Sequence, residues 1–194
     1  MQQLVLAMLM SLPPAYADRQ EEGRQERMET IADAITQATE VATCSGRLEG
    51  SEKCNVMFEG EPRQLATLLV TKGWWESRYA KNVHEGNCAR YECDATIVNG
   101  VVVHKARSPW QFQKTSFSYD LWGKSVGTDL RATRNAALIA ARVLSSGMNK
   151  CQHAQGALAY YANSRCRWSK AGNRYRTFRK LMTVRIEDPN RQSL

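Results

Sequence analysis

Leu65-Ala66-Thr67-Leu68-Leu69-Val70-Thr71-Lys72-Gly73-Trp74-Trp75-Glu76-Ser77 is an apolar run that ends on an acid. Its length and composition read as a buried helix, with Pro62 at the favoured first-turn position. Leu65, Leu69 and Lys72 precede Glu76 by eleven, seven and four positions, so the helical period sets the carboxyl on the face carrying the two leucines. A carboxyl there is partly desolvated. Desolvation disfavours the charged form and raises the pKa, which suits a general acid working near neutrality. The competing reading is a last-turn glutamate turned to solvent or paired with Lys72.

Outward from this stretch the pattern stays helical. Met28, Ile31, Ala32, Ile35 and Ala42 keep the helical period up to Cys44-Ser45-Gly46. Residues 82–94 are loop-like. Thr96-Ile97-Val98-Asn99-Gly100-Val101-Val102-Val103 then carries Asn-Gly between β-branched runs, which signals a two-stranded hairpin. Thr128 is the expected cap of a helix over 129–145, ended by Gly147. Shorter helices are expected over 155–162 and 173–184. The expected fold class is mainly α, a helical domain with a small β-hairpin.

The chain has 194 residues and a formal net charge of +8. That length suits one domain with a real core. Residues 4–12 are almost wholly apolar, and Ala15-Tyr16-Ala17 has the small-x-small form of a signal-peptidase site, so 1–17 reads as a cleaved export signal. The absence of Lys or Arg in Met1-Gln2-Gln3 leaves a misassigned start or a short buried helix as alternatives. Residues 18–27 read as a charged arm, mobile or fraying into a helix, and 28–194 as the single domain. The leader is too short to anchor, and no later run of roughly 20 apolar residues follows.

The cysteines number six and fall as near neighbours: Cys44 with Cys54, Cys88 with Cys93, Cys151 with Cys166. Beside an export signal this favours disulfides, read here as the local pairs. Closing a loop of about 15 residues stabilises by roughly 3 kcal/mol in the chain-entropy model. His84, His104 and His153 form no ligand pair on a helix face, and Cys-x-x-Cys is absent, so neither a metal nor a cofactor is expected. A basic exported protein is drawn to cell-wall polymers or membrane surfaces rather than to nucleic acid.

Three short motifs follow in order: Glu76-Ser77, Ala106-Arg107-Ser108-Pro109-Trp110-Gln111, and Ala159-Tyr160-Tyr161-Ala162-Asn163. The order resembles the lysozyme-like domain of bacterial lytic transglycosylases and goose-type lysozymes, over roughly 64–181. That resemblance implies a lysozyme-like fold and a periplasmic or secreted enzyme that degrades peptidoglycan, with glycan strands as partner. It implies Glu76 as the catalytic acid, Ser77 as an orienting serine, and Gln111 with Tyr160 as groove residues. Ser108 stands where the family prefers Gly, Tyr161 where it prefers Asn, and Asn163 where it ends on Gly. Tyr161 is therefore the alternative working hydroxyl. Trp110, beside Gln111, is the tryptophan expected to line the groove, and Trp75 is expected to wall the acid.

Glycan cleavage needs a proton on the leaving oxygen as the ring becomes oxocarbenium-like. In a lytic transglycosylase, as the resemblance implies, the same carboxylate then takes the proton of the muramyl C6 hydroxyl as a 1,6-anhydro ring closes. A hydrolytic muramidase needs a second carboxylate, for which Glu85, Glu92, Asp94 and Asp120 are the candidates. A non-catalytic wall-binding module on the same fold is the third reading.

Overall fold

The computed structural model describes residues 1–45, 57–88, 93–115 and 117–186. In chain order these form α1 (Gln2–Met10), α2 (Arg24–Thr43), α3 (Pro62–Ser77), α4 (Lys81–His84), β1 (Ala95–Val98), β2 (Val101–His104), α5 (Leu130–Cys151), α6 (Ala154–Asn163) and α7 (Ala171–Met182). The fold is mainly helical. Cys54 and Glu92 lie outside the described residues.

α3 is the helix around which the others pack, touching α1, α2, α5, α6 and α7. Every residue from Leu65 to Gly73 is buried, so the apolar run is enclosed on all sides rather than along one stripe. Thr67 copes with that enclosure by donating to the Arg63 carbonyl at 2.7 Å. Lys72 is enclosed too.

The end of α3 is a tight reversal. Arg78 and Tyr79 both hold left-handed φ, 56° and 54°, a conformation costing an L-residue roughly 1–2 kcal/mol. The reversal folds Tyr79 back beneath the helix, where its hydroxyl donates to the carbonyls of Leu69 and Val70, each at 3.1 Å. Gly73 permits this approach, because a Cβ there would run into the Tyr79 ring. The Arg78 guanidinium lies 3.8 Å from the centroid of the Trp74 ring.

β1 and β2 pair antiparallel with Val98 opposite Val101. Asn99 and Gly100 take positive φ between them, as a two-residue turn of the twist-matched type requires. Cys88–Cys93 closes the loop before β1, and Cys151–Cys166 joins the end of α5 to the turn after α6. A Cβ at Gly156 would collide with Cys151 and His153, so glycine lets α6 start close against the end of α5.

Three expectations change. Asp129, not Thr128, caps α5, accepting from the Ala132 amide at 3.0 Å, and α5 runs on to Cys151. Gly147 is interior to α5 because it faces the backbone of Ala157 on α6, so it serves close packing and does not end the helix. The charged stretch 18–27 is docked rather than a loose arm. Arg27 reaches Asp18 at 3.2 Å, Glu21 at 2.5 Å and the Tyr79 carbonyl at 2.6 Å, and Asp18 also accepts from the Lys81 amide at 2.7 Å.

The apolar run near the N-terminus forms α1, with Val5, Met8, Leu9 and Leu12 inside the core. It packs on α2 and α3, and Trp74 donates to the Pro13 carbonyl at 3.0 Å. This is the packing of a short buried helix. No described helix is long and apolar enough to cross a membrane.

Candidate functional site

Glu76 lies in the last turn of α3 and lines a groove of about 640 Å³. α3 supplies Lys72 and Glu76, the segment around Gln111 and Phe112 gives one wall, and α6 gives Tyr160 and Tyr161. Trp168 and Arg174 complete it from the turn before α7 and from α7 itself. The lining mixes rings and aliphatics (Phe112, Phe117, Ile139, Val143) with uncharged polar side chains (Gln111, Gln113, Thr115) and a small charged cluster.

The charged cluster decides between the two readings of Glu76, in favour of pairing with Lys72. Glu76 is not a lone desolvated carboxyl. Lys72 Nζ and Arg174 Nη1 both lie 2.5 Å from the same oxygen, Oε1. Burial pushes the carboxyl up, but the charges and hydrogen bonds of Lys72 and Arg174 outweigh it, and Glu76 is held below the usual carboxylate range. Lys72 has no exposed surface, and desolvation, only partly offset by Glu76, brings its ammonium down to about 8. Its Nζ also sits 4.1 Å from the centroid of the Tyr161 ring.

The other predicted residues divide. Gln111, Tyr160 and Tyr161 line the groove with Glu76. Gln111 holds φ at 50° and its amide donates to the Ser108 carbonyl at 3.1 Å. The Tyr161 hydroxyl donates to the Trp110 carbonyl at 3.0 Å, and burial raises its pKa well above the ordinary phenol value. Ser77 does not line the groove. Its hydroxyl donates to the Gly73 carbonyl and accepts from the Tyr79 amide, each at 3.1 Å, so it secures the reversal after Glu76.

Trp110 is not a groove residue. It has no exposed surface, and its indole donates to the Leu69 carbonyl at 3.0 Å, pinning the second motif to α3. A buried indole needs such an acceptor, and a central helix supplies one. Trp75 is not among the groove-lining residues; its indole donates to Thr177 at 3.0 Å, and its ring centroid lies 5.9 Å from the Arg174 guanidinium. Trp168 is the tryptophan in the groove, 4.6 Å from the Arg174 guanidinium. Arg174 is one of several basic residues along α7. No local signal separates it from its neighbours, because its partner is 98 positions away.

Of the three described acids considered as a second carboxylate, Asp94 is the one placed in the groove, where it accepts from Gln113 at 3.1 Å. Glu85 pairs with Lys81 at 3.4 Å on α4, and Asp120 forms a two-pronged pair with Arg142 at 2.6 and 3.0 Å. Glu92 is outside the described residues. Among the described residues no group of three or more His, Cys, Asp and Glu side chains is arranged to hold a metal. Comparison with protein-family models, with curated proteins and with solved structures finds no match.

Proposed function

We propose that this protein cleaves the glycan backbone of peptidoglycan between N-acetylmuramic acid and N-acetylglucosamine, as a lytic transglycosylase with a lysozyme-like domain. The observation that carries the reading is the placing of Glu76, Gln111, Tyr160 and Tyr161, drawn from three sequence motifs, around one groove. The bonded pairs Cys88–Cys93 and Cys151–Cys166 support a periplasmic or extracellular location, where disulfides persist.

The acid in this reading is the Lys72–Glu76 pair, which carries one mobile proton. In a groove closed by a sugar strand, water is excluded and the ionic form of a buried pair loses its advantage. The proton then moves from Lys72 Nζ to Glu76, and from Glu76 to the leaving glycosidic oxygen as the bond to C1 breaks. Glu76 next takes the proton of the muramyl C6 hydroxyl as that oxygen closes on C1, and the pair is restored. No water is consumed, and the product carries a 1,6-anhydro end.

Two rivals each have an observation behind them. Asp94 in the same groove supports a hydrolytic muramidase with a second carboxylate. The double ion pair on Glu76 supports a module that binds glycan without cutting it. Mass spectrometry of fragments released from purified peptidoglycan separates the three. Anhydro ends, lighter by one water and absent with Glu76→Gln, are the expected result. Reducing ends lost with Asp94→Asn make it a hydrolase, and binding without release makes it a module.

A further inference from the structure

The cluster at Glu76 is short of one negative charge. Lys72 and Arg174 bring two cations to one carboxylate, and both take Oε1, so neither holds Oε2. The other titratable groups lining the groove beside it are Tyr160 and Tyr161 from α6, and burial keeps the Tyr161 phenol neutral. Asp94 is exposed on the wall before β1 and is engaged with Gln113. Partly buried charges are paired in a resting protein, and an excess cation beside an open groove is a receptor for an anion. Arg174 is the cation that comes from another element: it reaches in from α7 with its guanidinium 4.6 Å from the centroid of the Trp168 ring, and both residues line the groove, whereas Lys72 has no exposed surface.

Resting on the glycan-cleaving reading, we propose that Arg174 is the specificity-determining residue of this groove: it binds a carboxylate carried by the substrate strand and in doing so releases Glu76. The partner is an acidic glycan. Its carboxylate is the lactyl group of a peptide-free muramyl residue or a carboxylate of the peptide stem. Losing one of its two cations, Glu76 accepts the Lys72 proton more readily, so the acid is armed only where an acidic substituent is seated. Exposed Arg165, Arg167 and Lys170 beside Trp168 give the same end of the groove a positive rim that draws such strands in.

The test compares three strands of equal length: peptide-free glycan with free lactyl carboxylates, the same glycan with those carboxylates converted to methylamides, and peptide-bearing glycan. Both binding, by tryptophan fluorescence, and kcat/KM are read for the native protein, Arg174→Gln and Arg174→Lys. A hydrogen-bonded charge pair is worth enough for about a tenfold or greater preference of the native protein for an acidic strand over the methylamide. Arg174→Gln is expected to bring that ratio near one and to raise the acid limb of the pH profile, and Arg174→Lys to recover part of the preference. Preference for the peptide-free acid identifies the lactyl group, and preference for the peptide-bearing strand alone identifies the stem. An acidic-to-neutral ratio unchanged by Arg174→Gln overturns the proposal. A native protein that binds acidic strands preferentially but releases nothing overturns the cleavage reading, and with it the release of Glu76, leaving Arg174 as a carboxylate receptor.

Discussion

Lys72, with no exposed surface, donates from Nζ to Oε1 of Glu76 at 2.5 Å, one helical turn away on α3. A buried ammonium next to a carboxylate is a store for a proton, and the pair titrates as a unit. Glu76 is held below the ordinary value of 4.5, and Lys72 is brought down to about 8. If the pair delivers one proton, the active form exists between those two limits. The kcat/KM profile on glycan strands is therefore expected to stay flat through neutrality and fall on the alkaline side near pH 8. Lys72→Met removes the store and leaves Glu76 beside Arg174, so activity is expected to survive only toward acid pH, by the hundredfold or more typical of general acid catalysis lost at pH 7. An alkaline limb that stays near 8 in Lys72→Met would show that another group sets it.

His84 supplies a separate pH effect on stability. Its ring lies at the end of α4 with Nε2 2.9 Å from the Thr133 hydroxyl, and Nδ1 has no hydrogen-bond partner among the described residues. Desolvation, aided by the positive charge of Arg27, lowers its pKa from 6.5 to about 4. A histidine depressed in the folded state binds its proton only on unfolding, so its contribution is complete above 6.5 and is lost as pH falls toward 4. Urea unfolding is expected to show roughly 2 kcal/mol less stability at pH 5 than at pH 7 from this group. In His84→Gln that difference should shrink by about the same amount. An equal pH dependence in native and variant would mean that other groups carry it.

Ser108 stands at φ 63°, where its Oγ accepts weakly from the Trp110 amide at 3.3 Å. Glycine reaches this left-handed conformation without a Cβ clash. Ser108→Gly is expected to raise stability by up to about 1 kcal/mol, the strain relieved less the weak hydrogen bond lost. Thermal unfolding reads this directly, and a lower melting temperature would assign the serine hydroxyl the larger role.

What the sequence reveals and conceals follows from the range of the interactions. The buried character of 65–73, the Asn99-Gly100 turn and the local pair Cys151–Cys166 are decided within a few residues, and periodicity or turn chemistry exposes them. Glu76 could be singled out because it closes such a run. Its electrostatic setting could not, since Arg174 comes from α7 and nothing near position 174 marks that arginine apart from the others. Trp110 misled for a similar reason. Neighbourhood to Gln111 suggested the groove, but the indole turns the other way, to the Leu69 carbonyl of a helix that comes 41 positions earlier.

The N-terminal helix gives the sharpest test of how the chain is processed. Val5, Met8, Leu9 and Leu12 are buried between α2 and α3, and Asp18, just after the predicted cleavage point, is bound by Arg27 and by the Lys81 amide. Each buried apolar side chain contributes roughly 1.5–3 kcal/mol. A chain beginning at Asp18 loses all four and uncovers their contacts. At roughly 2–4 °C per kcal/mol for a protein of this size, it is expected to melt more than about 10 °C below the full chain. The same truncation keeps the Arg27 contacts to Asp18 and Glu21, so α2 should still start where it does, which hydrogen exchange at its first turn can read. Intact mass of the protein recovered from the cells that produce it then decides between the two histories: a full-length mass makes α1 a retained core helix, whereas a mass beginning at Asp18 with an unchanged melting temperature makes residues 1–17 a leader whose packing the mature fold does not need.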